Sequence, residues 1–329
     1  MNRLLLITNA AAGTADERAI GEALEVLREG AEVEVVATRD EDELLTVLAD
    51  RPGLPVVVAG GDGSLHALVA ALDELGRLRR ADGDRGGDDA PVVGLVPLGT
   101  GNDFSRALDL PRDPGEAAAV VLGGRTEPID VVRDETGGLV VNVAHVGVGA
   151  EAGERAGPWK ARFSRVGLGV VGYAVGAVLA LFTTDGWRLT VVADGRRLTG
   201  GGRRVLQVAV ANGRTIGGGA RIAPDSDVSD GLIDVAVSFA TGRVARIRYG
   251  LAMRRGRHHA LDDVVRTRAR EVTVRAQRGT FTVNTDGELS HALRSRTWRL
   301  EPAAYRMLVP GDRLLLGDAL RPGEARSTE

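Results

Sequence analysis

The chain of 329 residues contains no cysteine, which excludes disulfides, thiolate metal sites and cysteine nucleophiles and fits a reducing cytoplasm. Lysine is nearly absent as well. Lys160 is the only one, so a P-loop lysine or a Schiff-base lysine anywhere else is ruled out. Aromatic residues make up only 3%, which with the many glycines points to loops as the carriers of the chemistry. Charge of one sign is also lacking: a formal net charge of −3 supplies no basic field of the kind that marks a nucleic-acid binder, so any anion site must be local. The longest apolar stretch, 166–182, is interrupted by Gly167, Gly169, Gly172 and Gly176 and falls at or below the minimum for a membrane span, so it reads first as a buried helix. Residues 1–9 carry one arginine and an apolar run too short for a signal-peptide core, and read as a first strand.

What is abundant is apolar content, 43%, and glycine, 45 residues, which together indicate folded cores joined by many tight turns. The length favours two domains. In the first third, strand-length apolar runs at 3–8, 32–37, 55–59 and 92–96 alternate with helical patterns at 15–28, 41–49 and 64–78. That repetition predicts a parallel sheet covered by helices on both faces. The Gly/Asp/Arg-rich segment 79–90 reads as a surface loop. Beyond residue 129 the pattern changes to short β-branched runs, at 139–143, 189–192, 205–210, 232–238 and 271–275, which predicts an antiparallel β-rich domain with a helical insertion over 163–182. The expected fold is therefore α/β: an N-terminal Rossmann-like nucleotide-binding domain over 1–130, a C-terminal β-rich, sandwich-like domain over 131–316, and a flexible polar tail over 317–329.

The strongest local signal is Gly60-Gly61-Asp62-Gly63-Ser64, directly after a buried strand and directly before a helix. Consecutive glycines let backbone N–H groups turn toward an anion, and the helix adds its positive dipole end, so a phosphate is expected there. Ser64 suits a helix N-cap or a hydroxyl donor to phosphate. The alternative is an ordinary tight turn in which Asp62 holds backbone amides. No Gly-Lys-Ser/Thr follows, so this is not a P-loop, and it lacks the dinucleotide Gly-x-Gly-x-x-Gly spacing. A second loop, Pro97-Leu98-Gly99-Thr100-Gly101-Asn102-Asp103, follows the next strand in the same way. Loops after successive parallel strands gather at one carboxyl edge, so the two converge on one ligand.

Together these loops resemble the diacylglycerol-kinase catalytic-domain family, which includes sphingosine and ceramide kinases and the bacterial soluble lipid kinases. The resemblance implies ATP contacts at Asn9, Gly13, Thr38, Gly60, Gly61, Asp62, Gly63, Ser64, His66, Thr100, Gly101, Asn102 and Asp103. It continues through Asn212-Gly213, Gly217-Gly218-Gly219, Ala223-Pro224 and Asp230-Gly231-Leu232. In bacterial relatives the last region holds magnesium, which would map to Asp227, Asp230 and the carbonyl of Leu232. The family's catalytic Asp-Gly-Glu is Asp286-Gly287-Glu288 here. Glu288 would accept the proton of the lipid hydroxyl, and Asp286, expected on the same strand face, would orient magnesium-bound water. Without the resemblance, Asp-Gly-Glu reads as a turn.

Two positions depart from the family pattern: Ser64 stands for threonine, keeping the hydroxyl, and His66-Ala67 stands for Asn-Glu. His66 can still donate near phosphate, or it is a satisfied helix-face histidine. The expected activity is ATP- and Mg2+-dependent phosphorylation of a hydroxyl of diacylglycerol or a related lipid. Magnesium would bridge the phosphates, aided through water by Asp62 and Asp103, and the lipid would lie against apolar second-domain side chains near 163–182. Expected partners are the lipid substrate, a transiently met membrane surface at the inner cytoplasmic face and a second copy in a homodimer, with no nucleic acid. Two alternatives stand beside this: a kinase for a soluble acceptor such as NAD, whose enzymes share the Gly-Gly-Asp-Gly loop, and a catalytically idle nucleotide-binding protein, kept open by His66-Ala67. The arginines and histidines of 243–270 read either as a solvated face or as a contact to anionic head groups. His258-His259 lacks the spacing for a zinc site.

Overall fold

A computed structural model describes residues 2–10, 13–80, 90–148 and 185–311; the helical segment expected over 163–182, most of the loop over 79–90 and the polar tail lie outside the described residues. The first half runs β1 (Arg3–Asn9), α1 (Thr14–Gly30), β2 (Glu32–Thr38), α2 (Glu41–Ala49), β3 (Val56–Gly60), α3 (Asp62–Glu74), β4 (Val92–Pro97), α4 (Asp103–Ala107) and α5 (Pro114–Gly123). The strands pair in parallel in the order β2-β1-β3-β4. Their period of two sorts the side chains: Leu5, Ile7, Val56 and Val58 pack toward α2 and α3, while Leu4, Leu6, Val57 and Ala59 pack toward α1 and α5. Helix starts follow local chemistry, with Asp40 and Asp113 capping α2 and α5 by accepting the amides of Glu43 and Glu116.

The second half runs β5 (Arg125–Asp134), β6 (Leu139–Val140), β7 (Val143–Gly147), β8 (Leu189–Ala193), β9 (Arg196–Arg197), β10 (Gln207–Ala211), β11 (Thr215–Ile216), β12 (Ala220–Arg221), β13 (Ile233–Ser238), α6 (Arg243–Arg254), β14 (Val264–Ala269), β15 (Glu271–Ala276), β16 (Val283–Thr285), β17 (Glu288–Leu289) and β18 (Ser295–Val309). A six-stranded antiparallel sheet, β14-β13-β10-β7-β16-β17, faces the far end of the first sheet. Between them lies a second core of Val208, Val235, Val272 and Trp298, the last 1% exposed. This is the expected sandwich-like domain.

Two features were not expected. The 15-residue β18 returns to the first half, pairing in parallel with β4 through Arg306 and Met307 and antiparallel with β5, so one ten-stranded sheet runs through both halves. Its register shifts between Glu301 and Tyr305, where Ala303 takes a left-handed φ of 50°. The run expected as one strand over 139–143 is also broken, because Val141 and Asn142 leave the ladder and give their amides to the carboxylate of Asp286.

Candidate active site

The loops after β1, β3 and β4 meet at the carboxyl edge of the parallel strands. A cavity of about 330 Å³ there is lined by Asn9, Thr38, Arg39, Gly63, Ser64 and Ala67, among others. Ala67, where the family usually carries a glutamate, leaves a methyl group at its wall. Of the expected ATP contacts only Asn9, Thr38, Gly63 and Ser64 line it; Gly60, Gly61, His66, Gly101 and Asn102 do not, Asp62 and Asp103 line a second cavity described below, Thr100 is exposed and Gly13 caps α1. Helix α3 starts two residues earlier than expected, with extended Gly61 as its N-cap and no side chain bonded to its first-turn amides. Ser64 therefore lies inside the first turn rather than capping it, and the free N–H groups there face the anion site that helix ends provide.

Glycine is required where the two loops touch. A Cβ on Gly99 would stand 2.6 Å from Cα of Gly61, backbone against backbone with no flexible atom to yield. Asp62 fastens the contact: its Oδ2 accepts the amide of Asp103 at 2.9 Å and its Oδ1 that of Phe104 at 2.9 Å. Burial raises the Asp62 carboxyl above its ordinary value; the two amides oppose this, and the charges of Asp103 and Asp286 add to it. The tight-turn alternative, in which Asp62 holds amides, is thus realised, and it coexists with an open anion site. Asn102 turns the second loop with a left-handed φ of 50°, and the Gly101 carbonyl accepts from the Arg106 guanidinium.

Asp103 carries the connection to the other half. Its Oδ2 accepts the Gly218 amide at 2.8 Å from the hairpin between β11 and β12, its Oδ1 meets Arg106 Nη1 at 3.1 Å, and its carbonyl accepts the Thr215 hydroxyl at 3.2 Å. Both carboxylates expected to act on magnesium through water therefore already hold backbone amides on their oxygens.

Asp286 and Gly287 form the two-residue turn of the β16–β17 hairpin, with φ of 49° and 105°, and Thr285 pairs with Glu288. Asp286 is thus not on a strand and does not share a face with Glu288, which corrects the expectation. Its carboxylate accepts three amides, Val141 at 2.7 Å, Asn142 at 3.0 Å and Val143 at 2.8 Å, and its Oδ2 lies 3.0 Å from Nδ1 of His66 on α3. Glu288, exposed at the start of β17, is close enough to His66 to act on its titration. Burial would lower the His66 pKa, but the Asp286 hydrogen bond and the charges of Asp286, Glu288 and Glu41 outweigh it, and the net shift is upward. The charged His66–Asp286 clasp is therefore complete below the ordinary imidazole value and is lost as pH rises through the raised one. We expect the wild-type melting temperature to fall relative to His66→Asn across that rise; parallel curves for the two proteins would disprove a charged clasp.

Between the halves lies a second cavity, of about 110 Å³, lined by Asp62, Asp103, Asn142, His145, Asn284 and Asp286, among others. His145 is 3% exposed, its pKa pushed down to about 4 by burial against the opposing charge of Asp286, so it is neutral at pH 7. Asn212 donates to the carbonyls of Asp130 and Val141 at 2.8 and 2.9 Å, which holds the segment that cradles Asp286. The role of His145 was missed in the sequence, where a polar residue within the run Val143-Ala144-His145-Val146 was the only signal.

Asp227, Asp230 and Leu232 stand in a separate loop before β13. Asp227 Oδ1 accepts the amide and hydroxyl of Ser229, and Asp230 Oδ1 accepts the Leu232 amide at 3.0 Å. Asp230 is raised to about 6, first by burial, with Arg268 and the Leu232 amide opposing and Asp234 and Asp227 adding. Two carboxylates and a carbonyl form a hard oxygen set of the kind magnesium takes, with Asp230 Oδ2 paired meanwhile to Arg268 Nη1 at 3.3 Å. Among the described residues no three His, Asp or Glu side chains form a metal cluster.

Comparison with known proteins agrees with this geometry. Residues 3–133 match the family described as Diacylglycerol kinase catalytic domain, and residues 142–309 match that described as YegS C-terminal NAD kinase beta sandwich-like domain. A protein of Xanthomonas euvesicatoria pv. vesicatoria named "Probable lipid kinase YegS-like" is 33% identical over 269 residues, 80% of this chain and 81% of its own. One of the same name from Klebsiella pneumoniae is 28% identical over 320 residues, 95% of this chain and 97% of its own. A crystal structure described as a diacylglycerol kinase of Bacillus anthracis str. Sterne superposes with a TM-score of 0.67 at 19% identity, covering 94% of this chain and 97% of that one. Among the described residues no helix is long and apolar enough to cross a membrane. With the paired glycine loops, the Asp-Gly-Glu turn and both domain matches in agreement, the chain belongs to the lipid kinase family built on the diacylglycerol-kinase catalytic domain and the YegS-type C-terminal domain.

Proposed function

We propose that the protein transfers the γ-phosphoryl group of ATP to a hydroxyl of diacylglycerol or a related lipid. The observation that carries this reading is the closed set of bonds from the phosphate loop to the catalytic turn: Asp62 to the second loop, Asp103 to the β11–β12 hairpin, and His66 to Asp286 beside Glu288. ATP phosphates lie on the amides of Gly61, Asp62, Gly63 and Ser64, with the nucleoside toward Asn9 and Thr38. Magnesium, when bound with the nucleotide, would supply neutralising charge there. Glu288 takes the proton of the lipid hydroxyl as its oxygen forms the new bond to the γ-phosphorus, the bond from that phosphorus to the β–γ bridging oxygen breaks, and ADP leaves. Asp286 and neutral His145 do not transfer the proton; they hold the turn and wall of the cleft. A second, structural magnesium would be held by Asp227, Asp230 and the Leu232 carbonyl.

The test is transfer of labelled γ-phosphate from ATP with magnesium to a panel of lipids in mixed micelles, with NAD and water as parallel acceptors. Label in one lipid class is expected. Label in NAD alone would favour the soluble-acceptor alternative raised by the shared Gly-Gly-Asp-Gly loop, and nucleotide binding with no transfer would favour an idle binder.

A further inference from the structure

Five large apolar side chains are exposed among the described residues, and three lie on one helix: Val244 at 72%, Ile247 at 47% and Leu251 at 52%. Their spacing, three then four residues, puts them on one face of α6. The opposite face is already occupied. Tyr249 is 2% exposed, bonds Gln207 through its hydroxyl at 3.2 Å and packs with Val148, Leu206 and Ala240, while Arg246 is 6% exposed. The outer stripe is therefore not required to hold the helix on the domain.

The helix and the turn that follows it are strongly basic. Arg243, Arg248, Arg254, Arg255 and Arg257 are all exposed, and residues 242–261 contain no aspartate or glutamate in a chain whose net charge is −3. Some exposed arginines meet carboxylates, as Arg299 meets Glu271 at 2.7 Å, whereas none of these five forms an ion pair with a described residue, so the whole cluster keeps its charge. Asp262 and Asp263 follow the turn, but five arginines outnumber them and none is paired; an apolar stripe rimmed by such arginines is the pattern of a helix that lies in the interface of an anionic bilayer.

We propose that the outer face of α6 is the surface through which the protein docks on anionic lipid bilayers. Charge complementarity selects that occupant. A second copy would bring two such faces into repulsion, and residues 149–184 of this chain contain two glutamates against three arginines and a lysine, so neither neutralises the rim. The end of α6 is also linked to the cleft through packed residues. Gly256, just past α6, packs against Arg221 and Pro224, and His258 Nε2 lies 2.9 Å from the Ile222 carbonyl; Arg221 ends the β11–β12 hairpin that Asp103 holds through Gly218. The inference deepens the lipid-kinase reading, on which it rests for the bilayer's role as source of the acceptor.

Flotation of the full chain with phosphatidylglycerol/phosphatidylcholine vesicles and with phosphatidylcholine vesicles, without ATP, reads docking apart from transfer. Wild type is expected to float with the anionic vesicles only, and less at high salt. Arg248→Ala, Arg254→Ala and Arg255→Ala should each weaken binding about fivefold, and Ile247→Ser with Leu251→Ser about tenfold. Melting temperature and transfer to a monomeric short-chain diacylglycerol should stay at wild-type values in all of them. Equal flotation of wild type and variants overturns the proposal. So does failure to float combined with a dimer that the variants dissociate, with melting that they lower, or with binding to single-stranded RNA; these assign the face to a second copy, to residues 149–184 or to nucleic acid. Wild-type flotation that depends on α6, with no label entering any lipid, would leave the docking surface standing and remove the kinase reading alone.

Discussion

Replacing Glu288 by glutamine is expected to lower turnover by about two to four orders of magnitude, the range for losing a general base, while leaving ATP affinity nearly unchanged. The substitution keeps the shape of an exposed side chain on β17 and breaks no side-chain hydrogen bond to a described residue, so stability should be preserved. Only the capacity to accept a proton is removed. Single-turnover transfer measured beside equilibrium nucleotide binding separates the two. Turnover within tenfold of wild type would show that another group takes the proton, and the base would have to be sought elsewhere in the cleft.

Asp286→Ala should act in a different way. It removes the acceptor of three amides in a region where Val141 and Val143 are 2% and 1% exposed, and it leaves His66 without its partner. Each buried amide left unsatisfied costs about 1–3 kcal/mol, less where water can enter, so a loss of roughly 3 kcal/mol or more in unfolding free energy is expected. Turnover should fall as well, because the hairpin that presents Glu288 is no longer held to α3. Asp286→Asn keeps the shape but turns an NH2 toward donors, and should fall between alanine and wild type. Chemical denaturation of the three proteins decides this. An alanine variant as stable as wild type but inactive would restore Asp286 to a direct part in the chemistry.

The contrast between these neighbours shows how far the sequence could be read. Asp286 and Glu288 stand two apart in one motif, and a strand reading puts them on one face. The backbone instead reverses at Asp286-Gly287, a pair that suits a two-residue hairpin turn, and this sends one carboxylate inward to amides and leaves the other exposed. Turn chemistry was legible in those letters. The identity of the amides was not, since they lie 143 to 145 positions away. The same holds for Asp62, whose partners Asp103 and Phe104 come from the next loop, and for His66, a departure from the family pattern that finds a role only through Asp286.

The sequence by itself determined the alternation of strands and helices, the burial of each strand by its period of two, and the two glycine loops at one sheet edge, because periodicity and turn preference act over a few residues. It also carried enough motif to mark the family. Only the tertiary structure decided that β18 returns to the first sheet, that the carboxylates of Asp62, Asp103 and Asp286 fasten loops together, and that α6 turns an apolar, basic face outward. Those outcomes depend on which distant backbone groups and side chains meet, and a single buried carboxylate is drawn to whatever amides the fold brings within about 3 Å of it.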